Sequence, residues 1–403
     1  MASGARWPWL NGAAPAVFMV SVEKVIEMSA DKSSREPAEE IGGNASVFKL
    51  LGEPPDVQAE LFRLIHQIPP GKVTTYRALA EALGDLSATR WVAHVLLHHP
   101  HESNPIRCGR STARSSSAGS FKLSRSLCPC HRVVRSDGSL GQYAGGSPAE
   151  KRALLAAEGI RVAGDEVDLG DYFFEGFQSS SPLRTLHEIQ KQVAAAAQIQ
   201  PLVPFPQRIA GIDLAYLDDA HAVATFTLSD LAARKLVASI QVCAEVRFPY
   251  ISGFLAFREL GLMLSVLQKA ESQGFSADLI LVDGSGILHP RGAGVATHLG
   301  MVADRPTVGV TKKCLCGQLR DDPTGCGRRW LVVHEDRVAG LAIPRARSSK
   351  KRIFLSPGHG TDLNTCREVA EKLIGDHPLP EPIYWADRFS RQAVRAKRLS
   401  NGA

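Results

Sequence analysis

The sequence predicts two unlike domains in tandem, a mainly helical N-terminal domain and a C-terminal α/β domain. Three observations predict this. The chain has 403 residues, more than one domain usually holds. Apolar residues recur at helical spacing in the first half, whereas the second half alternates short apolar runs with helical stretches. Between the halves lies Gln178-Ser-Ser-Ser-Pro182, which reads as an interdomain linker. No internal repeat relates the halves, so they are expected to be different folds. The expected division is a disordered leader over 1–45, a first domain over 46–176, a linker over 177–182, a second domain over 183–395 and a tail over 396–403.

Composition sets outer bounds. Hydrophobic residues make up 44% and charged residues 22%, enough apolar surface for two cores. The net charge of +6 suits a partner that carries phosphates without proving one. Eight cysteines in so long a chain do not make a disulfide scaffold. The pairs Cys128/Cys130 and Cys314/Cys316 leave one residue between thiols, whereas structural zinc sites commonly leave two to four. A reducing cytoplasm is the simplest setting. No segment reads as a membrane span, because Asn11 and two prolines interrupt the apolar stretch Trp7 to Val20. Met19 and Met28 are alternative starts.

In the first domain, Val57, Leu61, Leu64, Ile65 and Ile68 fall at helical spacing, and Pro69-Pro70-Gly71 ends the helix. Thr74 or Thr75 is placed to cap a second helix through Leu79 and Leu83 to Gly84. Ser87 is placed to cap a third, with Trp91, Val92, Val95 and Leu96 on its apolar side. Two short helices about a Gly-containing turn read as helix-turn-helix, a motif whose second helix enters a DNA groove by its N-terminal residues. Arg90 stands there. Residues 106–127 are Ser- and Arg-rich and hold no acidic residue, as in a disordered basic insertion.

In the second domain, Arg208 to Tyr216, His221 to Leu228 and Leu236 to Phe248 read as strands. Phe254 to Lys269 reads as a helix, and Leu279 to Asp283 as a buried strand stopped by Gly284. Gly294 to Ala303 fits a helix and Thr307 to Val310 a strand. Trp330 to Val333 and Val338 to Ile343 suggest a hairpin. Ile353 to Leu355 leads into a helix over Asn364 to Ile374. Three strands, a helix, then alternating strand and helix resemble the ribonuclease H-like architecture.

Two places carry candidate chemistry. In Cys128-Pro-Cys-His-Arg-Val-Val134 a thiol adjoins a histidine, a candidate nucleophile and base, with a buried structural cysteine as the plainer reading. The surrounding blocks are Ile68-Pro-Pro-Gly-Lys-Val-Thr-Thr-Tyr76-Arg-Ala-Leu-Ala80, Asp137-Gly-Ser-Leu-Gly-Gln-Tyr143-Ala-Gly-Gly146, and Lys151 through Leu155 to Glu158-Gly159. Together they resemble the C-terminal domain of the O6-alkylguanine-DNA alkyltransferases, over roughly Ser46 to Phe174. The resemblance implies a winged helix-turn-helix-like domain that binds damaged DNA. It implies Cys130 as alkyl acceptor, His131 as its activator through a water, Glu158 as the orienter of His131, and no cofactor. It assigns Arg90 to the stack that a flipped nucleotide vacates, Tyr76 to the adjacent phosphate and flipped base, and Tyr143 to DNA. The plainer readings are a solvated helix residue for Arg90 and a core aromatic for Tyr76. The family usually has Asn-Pro before the reactive motif. Here the aligned position reads His98-His99-Pro100, with Asn104-Pro105 later.

The second place is a set of carboxylates. Asp213 lies in the first strand, Glu259 in the helix and Asp283 at the end of the buried strand, the oxygen donors that a hard divalent cation needs. A solvated helix face for Glu259 and a strand-end cap for Asp283 are the plainer readings. The carrying stretches are Gly211-Ile-Asp213-Leu-Ala-Tyr216, Phe248-Pro-Tyr250-Ile-Ser through Glu259, Val282-Asp-Gly-Ser-Gly-Ile-Leu-His289-Pro-Arg291, Pro306 through Lys312-Lys313, Ser356-Pro-Gly-His359 and Leu379-Pro-Glu-Pro382. These resemble endonuclease V over about Leu183 to Ser390. The resemblance implies cleavage of DNA 3′ of deoxyinosine and other deaminated bases. It implies Mg²⁺ held by Asp213 and Asp283 with Glu259 close by, and Mn²⁺ as an alternative. It implies Lys312 and His359 on phosphates or the attacking water, Tyr250 as a wedge at the lesion, and His289 on DNA or as a structural histidine. Ser252 stands where the wedge usually has a second proline. Two other readings stay open: a damage-recognition module without transfer in the first half, and inosine-containing RNA as the substrate of the second.

Overall fold

The computed structural model describes residues 54–99, 128–144, 146–323, 329–345, 351–375 and 377–401. The expected leader and basic insertion lie outside the described residues. The described chain forms two compact units, one of residues 54–187 with Phe248–Ser252, the other of the remainder from Glu188 onward.

The first unit is built on short helices. Helix α1 (Val57–Ile65) turns Val57, Leu61, Leu64 and Ile65 into the core. Thr75 caps α2 (Tyr76–Leu83) by accepting from the Ala78 amide, and Gly84, left-handed at φ 106°, ends it. Helix α3 (Thr89–His98) starts differently from the sequence expectation. Asp85, not Ser87, makes the cap: its carboxylate accepts from the Ser87 amide and opens a 3-10 turn, Leu86–Ala88, that feeds α3. Strand β1 (Thr74–Thr75) pairs in parallel with β2 (Val133–Val134). Helix α4 (Pro148–Ala157) begins with a capping box between Ser147 and Glu150 and ends on Glu158 and Gly159. A small hairpin, β3 (Val162–Ala163) and β4 (Glu166–Val167), and a one-turn helix, α5 (Leu169–Tyr172), follow.

The stretch expected to be a linker is held down. The Ser180 amide donates to Glu60 and the Gln178 amide to Gln67, and Arg63 and Gln67 donate to the Gln178 carbonyl. Glu60 gives the Ser180 amide a charged acceptor in place of water. Arg63 first, with Ser180 behind it, holds the Glu60 carboxyl down at about 2 against the effect of burial. Pro182 then opens α6 (Pro182–Ala196).

The second unit is one nine-stranded mixed sheet covered by helices. Strands β5 (Arg208–Tyr216), β6 (His221–Asp230) and β7 (Lys235–Glu245) form an antiparallel meander. After α7 (Leu255–Ser272), β8 (Leu279–Asp283) joins β5 in parallel. After α8 (Val295–Ala303), β9 (Thr307–Thr311) joins β8 in parallel. Strands β10 (Gln318–Asp321), β11 (Trp330–His334), β12 (Arg337–Pro344) and β13 (Arg352–Pro357) extend it antiparallel, giving the order β10-β11-β12-β13-β9-β8-β5-β6-β7. Helices α9 (Leu363–Leu373) and α10 (Glu381–Asn401) close the chain, and α10 runs through the expected tail.

Strand periodicity sorts the core onto two faces. Ala210, Ile212, Ile280 and Val282 pack with α7 and α8, while Ile209, Leu279 and Leu281 pack with α9 and Ile383 of α10. Parity therefore sends Asp213 and Asp283 to the α9/α10 face. None of the described helices is long and apolar enough to cross a membrane.

Candidate active sites

The thiol site sits where β2 meets the end of α4. Pro129 starts a single 3-10 turn, Pro129–Arg132, which buries Cys130 and His131. Pairing of Thr74 with Val133 fixes this turn beside the start of α2. Glu158, at the C-cap of α4, gathers the donors. His131 Nε2 lies 2.9 Å from its Oε1, Arg132 donates to both oxygens at 2.7–3.1 Å, and the Gly71 amide donates at 3.3 Å. Arg132 also donates to the Ile68 carbonyl at 2.7 Å. Burial works against the Glu158 charge, yet Arg132 and His131 outweigh it and hold the carboxyl below its usual range. Burial pulls His131 below its ordinary value despite Glu158, which keeps the ring neutral and able to accept a proton.

Three more side chains respond to the Cys130 charge. Lys151 is buried and donates to the Val133 and Leu140 carbonyls at 2.7 and 2.5 Å. Burial draws its ammonium down to about 8, with Cys130 opposing. Tyr76, the first residue of α2, is raised by burial and then by Cys130. Tyr143, half-buried, is pushed up to about 12 by burial and then by Cys130 and Cys128. Arg90 is exposed in the first turn of α3. Neither Arg132 as the second partner of Glu158 nor Lys151 was singled out from sequence, although both stand inside the quoted motifs.

The carboxylate site lies on the α10 face of the second unit. Ile212 pairs with Val282, so Asp213 and Asp283 stand one step on, on adjacent parallel strands. The third carboxylate is Asp387 of α10, and ligand oxygens of all three lie within 4.8 Å of one another. Ser390, one helical turn after Asp387, donates to Asp213 at 2.6 Å. Lys312, just past β9, donates to Asp283 and Asp387 at 3.0 Å each, and Arg391 donates to Asp387 at 2.8 Å. Burial first, then the Asp283 charge, raises Asp213 well above the usual carboxylate range. Lys312 is held above its ordinary value, because Asp283 and Asp387 outweigh burial. Crowded oxygen donors, with Asp213 resisting ionisation among them, match what a hard divalent cation relieves.

Glu259 stands apart from this trio. It is buried on α7, the other face of the sheet, where the Tyr216 hydroxyl donates to it at 2.6 Å. Burial raises its carboxyl to about 7 against that bond, and Asp283 adds to the rise. His359 is a correction to the motif reading. Its amide donates to Thr307 and its carbonyl accepts from the Thr307 amide. Thr307 opens β9, whereas Lys312 follows its far end, roughly 13 Å along a strand of this length. Matching Ser-Pro-Gly-His could not reveal that the antiparallel β13 carries His359 away from the carboxylates. Asp387 was missed because α10 is rich in charge. Its signal was the spacing Ile383, Ala386, Ser390, Val394 behind Pro382.

Tyr250 is 66% exposed. His289 is buried, its Nε2 3.2 Å from the Gly253 carbonyl and its Nδ1 accepting from the Arg291 amide. Both ring nitrogens thus face backbone, as a structural histidine requires.

Comparison with known proteins joins these two sites. The 6-O-methylguanine DNA methyltransferase DNA-binding domain matches residues 56–160, and endonuclease V matches residues 187–388. A bifunctional methyltransferase/endonuclease of Picrophilus torridus is 31% identical over 324 residues, covering 80% of this chain and 92% of that protein. Endonuclease V of Ignicoccus hospitalis is 38% identical over 193 residues, covering 48% of this chain and 85% of the relative. The solved catalytic domain of human endonuclease V is 27% identical with a TM-score of 0.50, covering 55% of this chain and 98% of that one. A helical alkyltransferase-like unit and an endonuclease V sheet, matched together over 324 residues by one bifunctional relative, place this chain in the family of bifunctional methyltransferase/endonucleases.

Proposed function

We propose that this chain repairs two kinds of damaged DNA. The first unit moves an alkyl group from O6-alkylguanine to Cys130. The second cleaves the strand 3′ of deoxyinosine and other deaminated bases with Mg²⁺, or with Mn²⁺ in its place. The observation that carries this reading is that one chain holds both arrangements: a thiol beside a histidine locked to Glu158, and three converging carboxylates.

In the first unit His131 takes the Cys130 proton through a water. Glu158, saturated by Arg132 and the Gly71 amide, fixes the ring and stabilises its charged form. The thiolate forms an S–C bond, the C–O6 bond breaks, and its electron pair returns to the base, which takes up a proton. The base must leave the duplex first. Arg90, on the exposed start of α3, fills the gap; Tyr76 and Tyr143 line the pocket around the thiol. The short α2–turn–α3 unit supports the winged helix-turn-helix-like reading.

In the second unit Asp213, Asp283 and Asp387 would hold the divalent cation, which supplies an activated water and an electrophile for the scissile phosphate. Lys312, set between Asp283 and Asp387, turns to a phosphate when substrate arrives. Glu259, held by Tyr216 and close enough to Asp283 to feel its charge, completes the acidic surroundings of the ion. Tyr250 wedges its exposed ring at the lesion. The order β7-β6-β5-β8-β9, an antiparallel meander followed by two parallel strands, supports the ribonuclease H-like reading.

The test is direct. The full chain is incubated with a duplex carrying alkyl-labelled O6-alkylguanine and with an inosine duplex in Mg²⁺. Label on the Cys130 peptide and nicks mapped 3′ of inosine are expected. Damage binding without label would reduce the first unit to recognition. Cleavage only with a 2′-hydroxyl beside the inosine would make RNA the substrate of the second.

A further inference from the structure

One side-chain cluster in the first unit brings Cys130 together with two residues that the scheme above does not use. His99, Cys128 and Cys130 each turn one ligand atom to a common point, and the three atoms lie within 4.8 Å of one another. Local structure explains the convergence. Cys128 is extended at φ −52° and ψ 122°, and Pro129 then starts the 3-10 turn, which brings the sulfurs two residues apart to one side. His99 ends α3, where the last carbonyls lack helical partners. Its Nδ1 lies 2.9 Å from the Leu96 carbonyl. That bond places the ring proton on Nδ1 and leaves Nε2 as the lone-pair nitrogen. A metal-binding histidine is oriented in this way, its second nitrogen donating to a backbone carbonyl.

We propose that His99, Cys128 and Cys130 bind a soft divalent cation of the zinc class, and that the bound ion silences Cys130. Two thiolates and an imidazole are the donors such an ion prefers over carboxylates. Tetrahedral bonds of about 2.3 Å to sulfur and 2.0 Å to nitrogen put ligand atoms roughly 3.4–3.8 Å apart, so the cluster closes by at most about 1.4 Å. Three protein ligands leave one position for water. Binding releases the two thiol protons to solvent and ties up the sulfur pair that must attack the alkyl carbon. The reverse also holds. An alkylated Cys130 is a thioether, a weaker ligand than a thiolate, so transfer and metal binding exclude each other. The sequence spacing hid this site, because the third ligand lies 29 positions before Cys128 and no regular zinc spacing includes it.

The metal site stands without the proposed alkyl transfer; only its inhibitory consequence rests on it. The test therefore reads binding and transfer separately on the full chain, under a reductant that is not a thiol. Cobalt(II) titration of wild type should give a thiolate-to-cobalt absorption band saturating at one ion per chain, and zinc should displace it. Cys128→Ser and His99→Ala should each weaken cobalt binding about tenfold or more, while the double variant Cys314→Ser/Cys316→Ser keeps the band. Zinc-loaded wild type should transfer about tenfold slower or less, chelation should restore it, and Cys128→Ser should transfer alike with and without zinc. Absence of the band, its survival in Cys128→Ser, or its loss in the Cys314/Cys316 variant overturns the site. A normal band with unchanged transfer overturns the inhibition alone. Equal zinc inhibition of Cys128→Ser does the same, and no alkylation under any condition would instead fail the transfer reading.

Discussion

The two sites treat negative charge in opposite ways. Around Glu158 every neighbour is a donor: Arg132, His131 and the Gly71 amide together hold the carboxyl below its usual range. Around Asp213 only the Ser390 hydroxyl donates, two more acids stand close by, and burial first, then the Asp283 charge, force its carboxyl upward. The thiol site is finished as folded and can react from its resting arrangement. The carboxylate site is electrostatically incomplete and needs a positive partner before it can work. A site of the first kind suits a reaction run once by the protein's own atom. A site of the second kind suits turnover with an exchangeable ion.

The contrast can be broken most sharply by Cys130→Ala. It should abolish alkyl transfer and leave inosine nicking at the wild-type rate. Transfer that survives in Cys130→Ala but is lost in Cys128→Ala would move the acceptor back by two residues. Next in size, Asp213→Ala or Asp387→Asn should lower nicking in Mg²⁺ by about two orders of magnitude or more, since the ion stabilises charge that develops only as the phosphodiester breaks. Binding of these variants to inosine DNA in Ca²⁺ should persist, whereas Tyr250→Ala should weaken lesion binding first. Near-normal nicking by Asp387→Asn would remove that helix residue from the metal set.

Smaller effects sharpen the comparison. Glu158→Gln leaves Arg132 beside a neutral amide and should cost roughly 1–3 kcal/mol of first-unit stability, together with most of the transfer rate. Loss of rate without loss of stability would mean that Arg132 does not depend on Glu158. The last expectation concerns pH. Glu259 has a carboxyl raised to about 7, so between about 4.5 and 7 the unfolded chain gives up a proton that the folded chain keeps. Metal-free stability should therefore fall as pH rises through that window and level off above it. Thermal melts at pH 5 and pH 8 in chelator test this, and Glu259→Gln should shrink the difference to what Asp213 leaves. Added Mg²⁺ should raise Tm more at pH 8 than at pH 5, because the ion then meets ionised carboxylates.

Local chemistry was legible from the chain and remote geometry was not. Thr75 and Gly84 announced the ends of α2, and the apolar run Leu279–Val282 announced the strand that carries Asp283. Asp213 and Asp283 were readable as a pair because both sit on strands with a clear alternation. Ser87 misled because Asp85, two residues earlier, accepts from the Ser87 amide and starts the helical run ahead of the serine. The serines before Pro182 looked free because their partner, Glu60, lies 120 positions away from Ser180. His359 and Asp387 exchanged expectations for a related reason: which of two remote residues reaches β5 depends on strand direction and helix packing, and neither leaves a local trace.

Gly211 shows how far outside the site its control extends. A Cβ at this position would collide with the Pro382 carbonyl, so β5 and the first turn of α10 touch backbone to backbone. Thr227 fastens the same carbonyl at 2.8 Å. Asp387 lies five residues further along that helix, ~7.5 Å from this pivot, with Ser390 beyond it. The helix is a lever with its fulcrum at a glycine. A methyl group at 211 would tilt the arm and carry one carboxylate out of register while every site residue kept its identity. Inherited or engineered changes that silence cleavage can therefore accumulate in β5 without touching a single ligand.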